Sequence, residues 1–173
     1  MPKATKKPVS SNPLPDAGKI LTLADFTSEA LILPTMQGCD IPGAILELSN
    51  TFQKSDVQWD AQKLNYIALD REQQMSTAME FGAAFPHVRS NACLRLQFAL
   101  GRAPVPFEWG RAGSLKVQFV FLNAVPVSDT TGYLKLLTGM ARIGKDPTLL
   151  AQFRTAVTAR ELLELLSRIP LRK

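Results

Sequence analysis

The chain reads as an α/β (α+β) protein, one domain built on a mixed sheet of about five strands with helices on both faces. Three observations predict this. Apolar residues recur at helical spacing over residues 41–53 and 60–73, strand patterns occupy residues 94–100 and 115–122, and helical spacing returns after residue 129. Helices, then strands, then helices call for a sheet covered on both sides. The 173 residues suffice for one continuous core, and 46% apolar with 20% charged residues fits a soluble globular chain.

Each element has its own signal. Pro2, Pro8, Pro13 and Pro15 stand among serine, asparagine and lysine, so residues 1–20 are expected to form a disordered, basic, proline-rich tail. Such a segment buries too little apolar surface to offset its ordering entropy. Ile41, Ile45, Leu48 and Phe52 then line one side of a helix, with Asp40 as its cap and Pro42 in its first turn. A second helix, from about Asp60 to Gln73, carries Leu64, Ile67, Ala68 and Arg71 down one face. Residues 76–93, small and irregular with Gly82 and Pro86, predict short strands joined by loops. Leu94, Leu96, Phe98 and Leu100 alternate with Arg95, Gln97 and Ala99, the pattern of a strand exposed on one face. Leu115 to Leu122 begins by alternating and ends fully apolar, as a central strand does. A third helix is expected from after Asp129 to Ile143, closed by Gly144. Asp146-Pro147 opens a fourth, and Thr158 with Glu161 makes a capping box for the last, which Pro170 stops.

Composition removes several functions. The formal charge is +5, but Lys3, Lys6, Lys7 and Lys19 against Asp16 put +3 of it in the first 20 residues. The remainder forms no basic stripe interleaved with aromatics, so no nucleic acid is expected as a partner. The lysine tail itself would attract acidic surfaces over a Debye length. Apolar runs such as Val117 to Val127 are broken by Gln118, Asn123 and Pro126 and fall short of the roughly 20 residues of a membrane span. The N-terminal lysines are followed by no apolar segment, so neither a secretory signal nor membrane insertion is expected, and the chain is placed in the cytoplasm. Cys39 and Cys93 make no disulfide framework and no metal-ligand spacing; both read as small packing groups in a reducing compartment.

His87 is the single histidine of the chain. A lone histidine is commonly structural, and that reading stays open at this point. There is no partner histidine for zinc, no Gly-x-Ser-x-Gly elbow, no Walker loop and no dinucleotide glycine fingerprint, so no metal or cofactor is expected. Histidine chemistry here means His87 as a lone nucleophile. In Phe85-Pro86-His87-Val88-Arg89 a rigid proline stands just before the imidazole. An ordinary imidazole pKa of about 6.5 leaves a nitrogen lone pair for a phosphoryl group at neutral pH. One ring nitrogen attacks while the other is held in one tautomer, and the phosphohistidine needs cationic or backbone donors around its oxygens.

Arg71-Glu72-Gln73-Gln74-Met75-Ser76-Thr77 through Gly82-Ala83-Ala84-Phe85-Pro86-His87 resembles the signature of phosphotransferase-system IIA domains of the mannitol/fructose type, including the nitrogen-regulatory IIA proteins. In that family an Arg-Glu pair ends a helix, a Ser-Thr with a glycine-rich loop follows, and a Gly-x-Ala-x-Pro-His segment delivers the phosphorylated histidine. Leu115 to Pro126 is similar to the family's core strand, and Tyr133 to Leu137 with Ala141-Arg142 to the helix after it. Asp146-Pro147 and the helix at Glu161-Leu162-Leu163 look like its closing segment. The resemblance covers about residues 21–169 and leaves 170–173 as a C-terminal tail.

The resemblance implies that His87 is the phosphoryl acceptor and that Arg71, sixteen positions upstream, lies beside the phosphoryl group. A charge-assisted bond from that arginine is worth roughly 1.5–3 kcal/mol when well aligned. Ser76 and Thr77 fall on the family's Ser-Thr, with hydroxyl contacts or turn bonding as their roles. Tyr133 stands where many relatives have a second histidine; it can donate a hydrogen bond to a phosphoryl oxygen but cannot become cationic. Ala78 and Glu80 replace two loop glycines, and Val88 replaces the glycine after the histidine. Where those glycines take positive φ, the replacements would strain the loop, and Glu80 would repel a phosphate if its carboxylate faced the ring.

The implied function is that of a phosphocarrier or regulator, a phosphotransferase component rather than a stand-alone enzyme. Its donor would be the histidine phosphocarrier protein. The recipient would be a IIB component or a regulated protein. With no IIB or membrane IIC segment in the sequence, the expectation is a free sugar-transport component or, preferably, a nitrogen-related bacterial regulator. The alternative is a IIA-like interaction module that no longer takes phosphate, its surface retuned at Glu80, Val88 and Tyr133.

Overall fold

The computed structural model describes residues 18–171; the outer parts of both predicted tails, 1–17 and 172–173, lie outside the described residues. Two 3-10 turns, Leu23–Phe26 and Glu29–Leu31, lead into β1 (Ile32–Leu33), α1 (Ile41–Ser55) and α2 (Ala61–Gln74). Three short strands follow: β2 (Ala78–Met79), β3 (Ala83–Ala84) and β4 (His87–Arg89). A long hairpin of β5 (Gln97–Glu108) and β6 (Lys116–Val125) precedes α3 (Thr130–Lys145), α4 (Pro147–Thr155) and α5 (Ala159–Leu166).

The helices begin where short polar side chains satisfy their first amides. Asp40 accepts from the Gly43 N–H at 2.7 Å, Asp60 from Lys63 at 3.0 Å and Asp129 from Gly132 at 2.9 Å. Asp146 takes both Thr148 and Leu149 at 3.0 Å, with Pro147 as the first helical residue. The capping box expected at Thr158 and Glu161 is formed. Each such cap is worth about 1 kcal/mol.

The sheet is mixed, as expected, with six strands rather than about five, in the order β1-β5-β6-β3-β2. β6 is antiparallel to β5 along one edge; along the other it pairs in parallel with β3 and then β4. β3 and β4 thus share one lane, interrupted at Phe85-Pro86. The core divides into two layers. Phe98, Leu100, Phe119 and Phe121 pack against α3, α4 and α5 through Leu136, Met140, Phe153 and Leu162. On the opposite face Ala99, Val120, Leu122 and Ala124 meet α1 and α2 through Ile45, Leu48, Leu64 and Ala68.

Three expectations need correction. The strand read from Leu94 begins at Gln97 instead, and it is not exposed on one face. Phe98 and Leu100 face one helical layer, while Ala99 is buried under the other. Alanine is too small and too neutral to mark the face it occupies. Arg95, read as part of the strand's polar face, lies before it, 5.6 Å above the Trp59 ring. Gly144 does not close α3, which continues through it to Lys145. Its bare α-carbon instead admits the Phe81 ring, with which any Cβ would collide. Cys93 is a buried packing group as expected, but Cys39 is exposed.

Gly144→Ala raises intrinsic helix propensity by about 1 kcal/mol. We expect the collision with Phe81 to exceed that gain and to lower the unfolding midpoint, since overpacking costs about 1–3 kcal/mol. A stabilised variant in thermal or urea denaturation would show that Phe81 moves aside freely.

Candidate active site around His87

The lane formed by β3 and β4 delivers the histidine. Pro86 has no N–H to offer β6, and its carbonyl accepts from the Asn123 amide at 2.9 Å and from the Asn123 side-chain nitrogen at 3.3 Å. Asn123, fully buried, gives its second side-chain hydrogen bond to the Phe121 carbonyl at 2.8 Å. His87 pairs in register with Asn123, and Val88 with Ala124. This register turns His87 toward the face of α3 and buries Val88 completely on the other face.

The imidazole is half-buried. Its Nδ1 is enclosed without a well-formed hydrogen bond among the described residues, the Phe85 backbone offering the ring only a weak acceptor, whereas Nε2 is not so enclosed. The ring lies 5.5 Å from that of Tyr133, tilted by 42°. Burial holds the His87 pKa below its ordinary value, and the positive charge of Arg71 pushes the same way, with Arg89 adding to it. The Phe85 backbone and the Glu72 carboxylate pull upward but do not prevail. The neutral ring with a free lone pair is therefore the dominant form at pH 7. Burial pushes the Tyr133 hydroxyl up to about 12, so it remains a hydrogen-bond donor throughout the physiological range.

Arg71 sits in the last turn of α2, a helix in contact with β4. Among the described residues it forms no ion pair. Glu80 is exposed and is not among the groups that shift His87. Ala78 and Glu80 both have negative φ; between them and His87 the loop has one positive φ, 92° at Gly82. Alanine and glutamate at these two positions therefore impose no backbone strain.

Thr77 and Ser76 do turn work. The Ser76 hydroxyl accepts from the Ala78 amide at 3.3 Å. The Thr77 hydroxyl donates to Glu72 Oε2 at 2.8 Å and accepts from the Phe85 amide at 3.0 Å. Glu72 Oε1 accepts from the Thr77 amide and from the Trp109 indole, each at 2.7 Å.

The structure thus brings together His87, Arg71 and Tyr133, and holds Thr77 behind them in the loop. The sequence reading missed three participants. Arg89 was legible as a cation two residues along the strand, on the same face as His87. It donates to the Val127 carbonyl at 3.1 Å and the Thr130 hydroxyl at 2.6 Å, bridging β4 to the start of α3. Glu72 was legible as the partner of Arg71 but not as a buried acceptor. Nothing in the sequence pointed to Trp109, which is 37 positions from Glu72.

Residues 25–169 match the family described as "Phosphoenolpyruvate-dependent sugar phosphotransferase system, EIIA 2", and the chain belongs to it. It is 25% identical over 142 residues to a nitrogen regulatory protein of Pseudomonas aeruginosa, covering 79% of this chain and 92% of that one. Among solved structures it resembles the nitrogen regulatory protein IIA-Ntr of Neisseria meningitidis, with a TM-score of 0.74 at 19% identity, over 83% of this chain and 98% of that one. It also resembles the mannitol IIA enzyme of Escherichia coli, solved in complex with phosphorylated IIB, with a TM-score of 0.68 at 17% identity over 82% and 96% of the two chains. At these identities both structures support the fold.

Because His87 is the single histidine, its ring protons can be followed by NMR without ambiguity. We expect its titration midpoint below about 6.5, and Arg71→Gln to raise it by removing a charge that opposes protonation. An unchanged midpoint in that variant would show that the guanidinium does not face the ring.

Proposed function

We propose that His87 accepts a phosphoryl group from the histidine phosphocarrier protein and passes it to a IIB component or displays it to a regulated protein. The observation that carries this reading is the setting of the ring: a neutral imidazole with Nε2 open, opposed by the charges of Arg71 and Arg89. Nε2 attacks the phosphorus of the donor phosphohistidine in line; the Nε2–P bond forms as the donor's N–P bond breaks, and the donor imidazole leaves neutral. Each ring keeps its proton on the nitrogen that does not bond phosphorus, so the transfer requires no general acid or base. Positioning and charge neutralisation suffice. Arg71, and Arg89 with it, would neutralise the phosphoryl oxygens, while the Tyr133 hydroxyl donates to them. Ser76 and Thr77 serve the loop rather than the phosphate.

The resemblance to nitrogen regulatory proteins, one of them matched over 92% of its length, favours a regulatory carrier over a sugar-transport component. None of the described helices is long and apolar enough to cross a membrane, and we place the carrier in the cytoplasm. A binding module without phosphate draws less support, because Val88 is buried and adds nothing to the surface.

Intact-mass analysis after incubation with phosphoenolpyruvate, enzyme I and the phosphocarrier protein is the test. We expect one acid-labile phosphoryl group, absent in His87→Ala, and initial labelling of Arg71→Gln slowed about tenfold, the equivalent of one charge-assisted hydrogen bond. No gain of mass, with a labelling relative run alongside, would refute the carrier reading.

A further inference from the structure

We propose that Glu72 and Trp109 are positioning residues for His87, a role that rests on the phosphocarrier reading above. Glu72 is 5% exposed and turns inward, while the charge of its neighbour Arg71 is felt at the ring. A carboxylate so enclosed persists when its lone pairs are met by donors. Here two of the three donors, the Thr77 amide and the Trp109 indole, cannot reverse polarity, and both converge on Oε1.

That convergence orients the rest of the chain of bonds. The Thr77 hydroxyl has one hydrogen, which it gives to Glu72 Oε2, so toward Phe85 it can only accept. The Phe85 amide meets that lone pair two residues before His87. Pro86, locked in φ, passes the constraint directly to the histidine. Trp109 stands at the end of β5, so the hairpin holds the end of α2, α2 holds the loop, and the loop seats the ring. This is the arrangement by which a second layer of hydrogen bonds keeps a reacting group within tolerance, where about 1 Å of misplacement costs on the order of a hundredfold in rate. The Glu72 carboxylate also offsets part of the Arg71 and Arg89 charge at the imidazole.

Trp109→Phe removes the indole donor and keeps an aromatic ring, and Thr77→Val removes the hydroxyl relay at nearly constant volume. Phe153→Leu, in the buried layer of α4, serves as a control for general destabilisation. The imidazole ring protons, shifted by the neighbouring Tyr133 ring, report the seating of His87 directly. The expected result is that both site variants fold, displace those resonances and lower the initial labelling rate about tenfold, while Phe153→Leu changes neither. Resonances and rates equal to the control's in both site variants, with only the melting temperature lowered, would overturn the proposal. Should the wild-type chain fail to label, the carrier reading falls, and the resonance shifts alone decide whether Glu72 and Trp109 seat the ring.

Discussion

Between Phe119 and Val125, β6 is hydrogen-bonded to neighbours on both sides and covered by helices on both faces. A strand in that situation has no access to water, so its backbone groups are satisfied only when β5 and the β3–β4 lane lie in register. Because side chains alternate, a slip of one residue in the β4 register would turn His87 under α1 and α2 and bring Val88 to the face of α3. The chemistry of the site is thus subordinate to the pairing of one buried strand.

That strand carries a single fully buried polar side chain, Asn123, beside the histidine. Its side-chain amide meets the carbonyls of Pro86 and Phe121, and the second of these is the acceptor that faces a proline without an N–H in the adjoining lane. The polar interruption and the proline are two halves of one local solution. Around it the charges are unequal. Burial and two arginines favour the neutral imidazole, and the Phe85 backbone and one glutamate oppose them. The balance favours the uncharged imidazole.

The chain belongs to the EIIA 2 family, and the loop residues that the resemblance set against glycines sit here without strain. Ala78 and Glu80 occupy ordinary backbone conformations, Val88 fills a core position, and Tyr133 packs its ring against the imidazole. Glu80 projects to solvent rather than toward the ring, so its charge is spent in water.

The sequence alone determined the helices, their caps and the central strand, because these follow from spacing, Asp and Thr at helix starts, and an apolar run. It also singled out His87, Arg71 and Tyr133, since a lone histidine after a rigid proline and a recognisable series of segments are local signals. Tertiary structure decided what no local signal carries. It buried both faces of β5 from Phe98 to Gly101, where Ala99 looked like an outer residue, and it spent Gly144 on room for Phe81 rather than on a helix end. It also joined Glu72 to Trp109 across two elements. Such contacts depend on which surfaces meet after folding, and a buried carboxylate or a bare α-carbon acquires its meaning from the neighbour that arrives there.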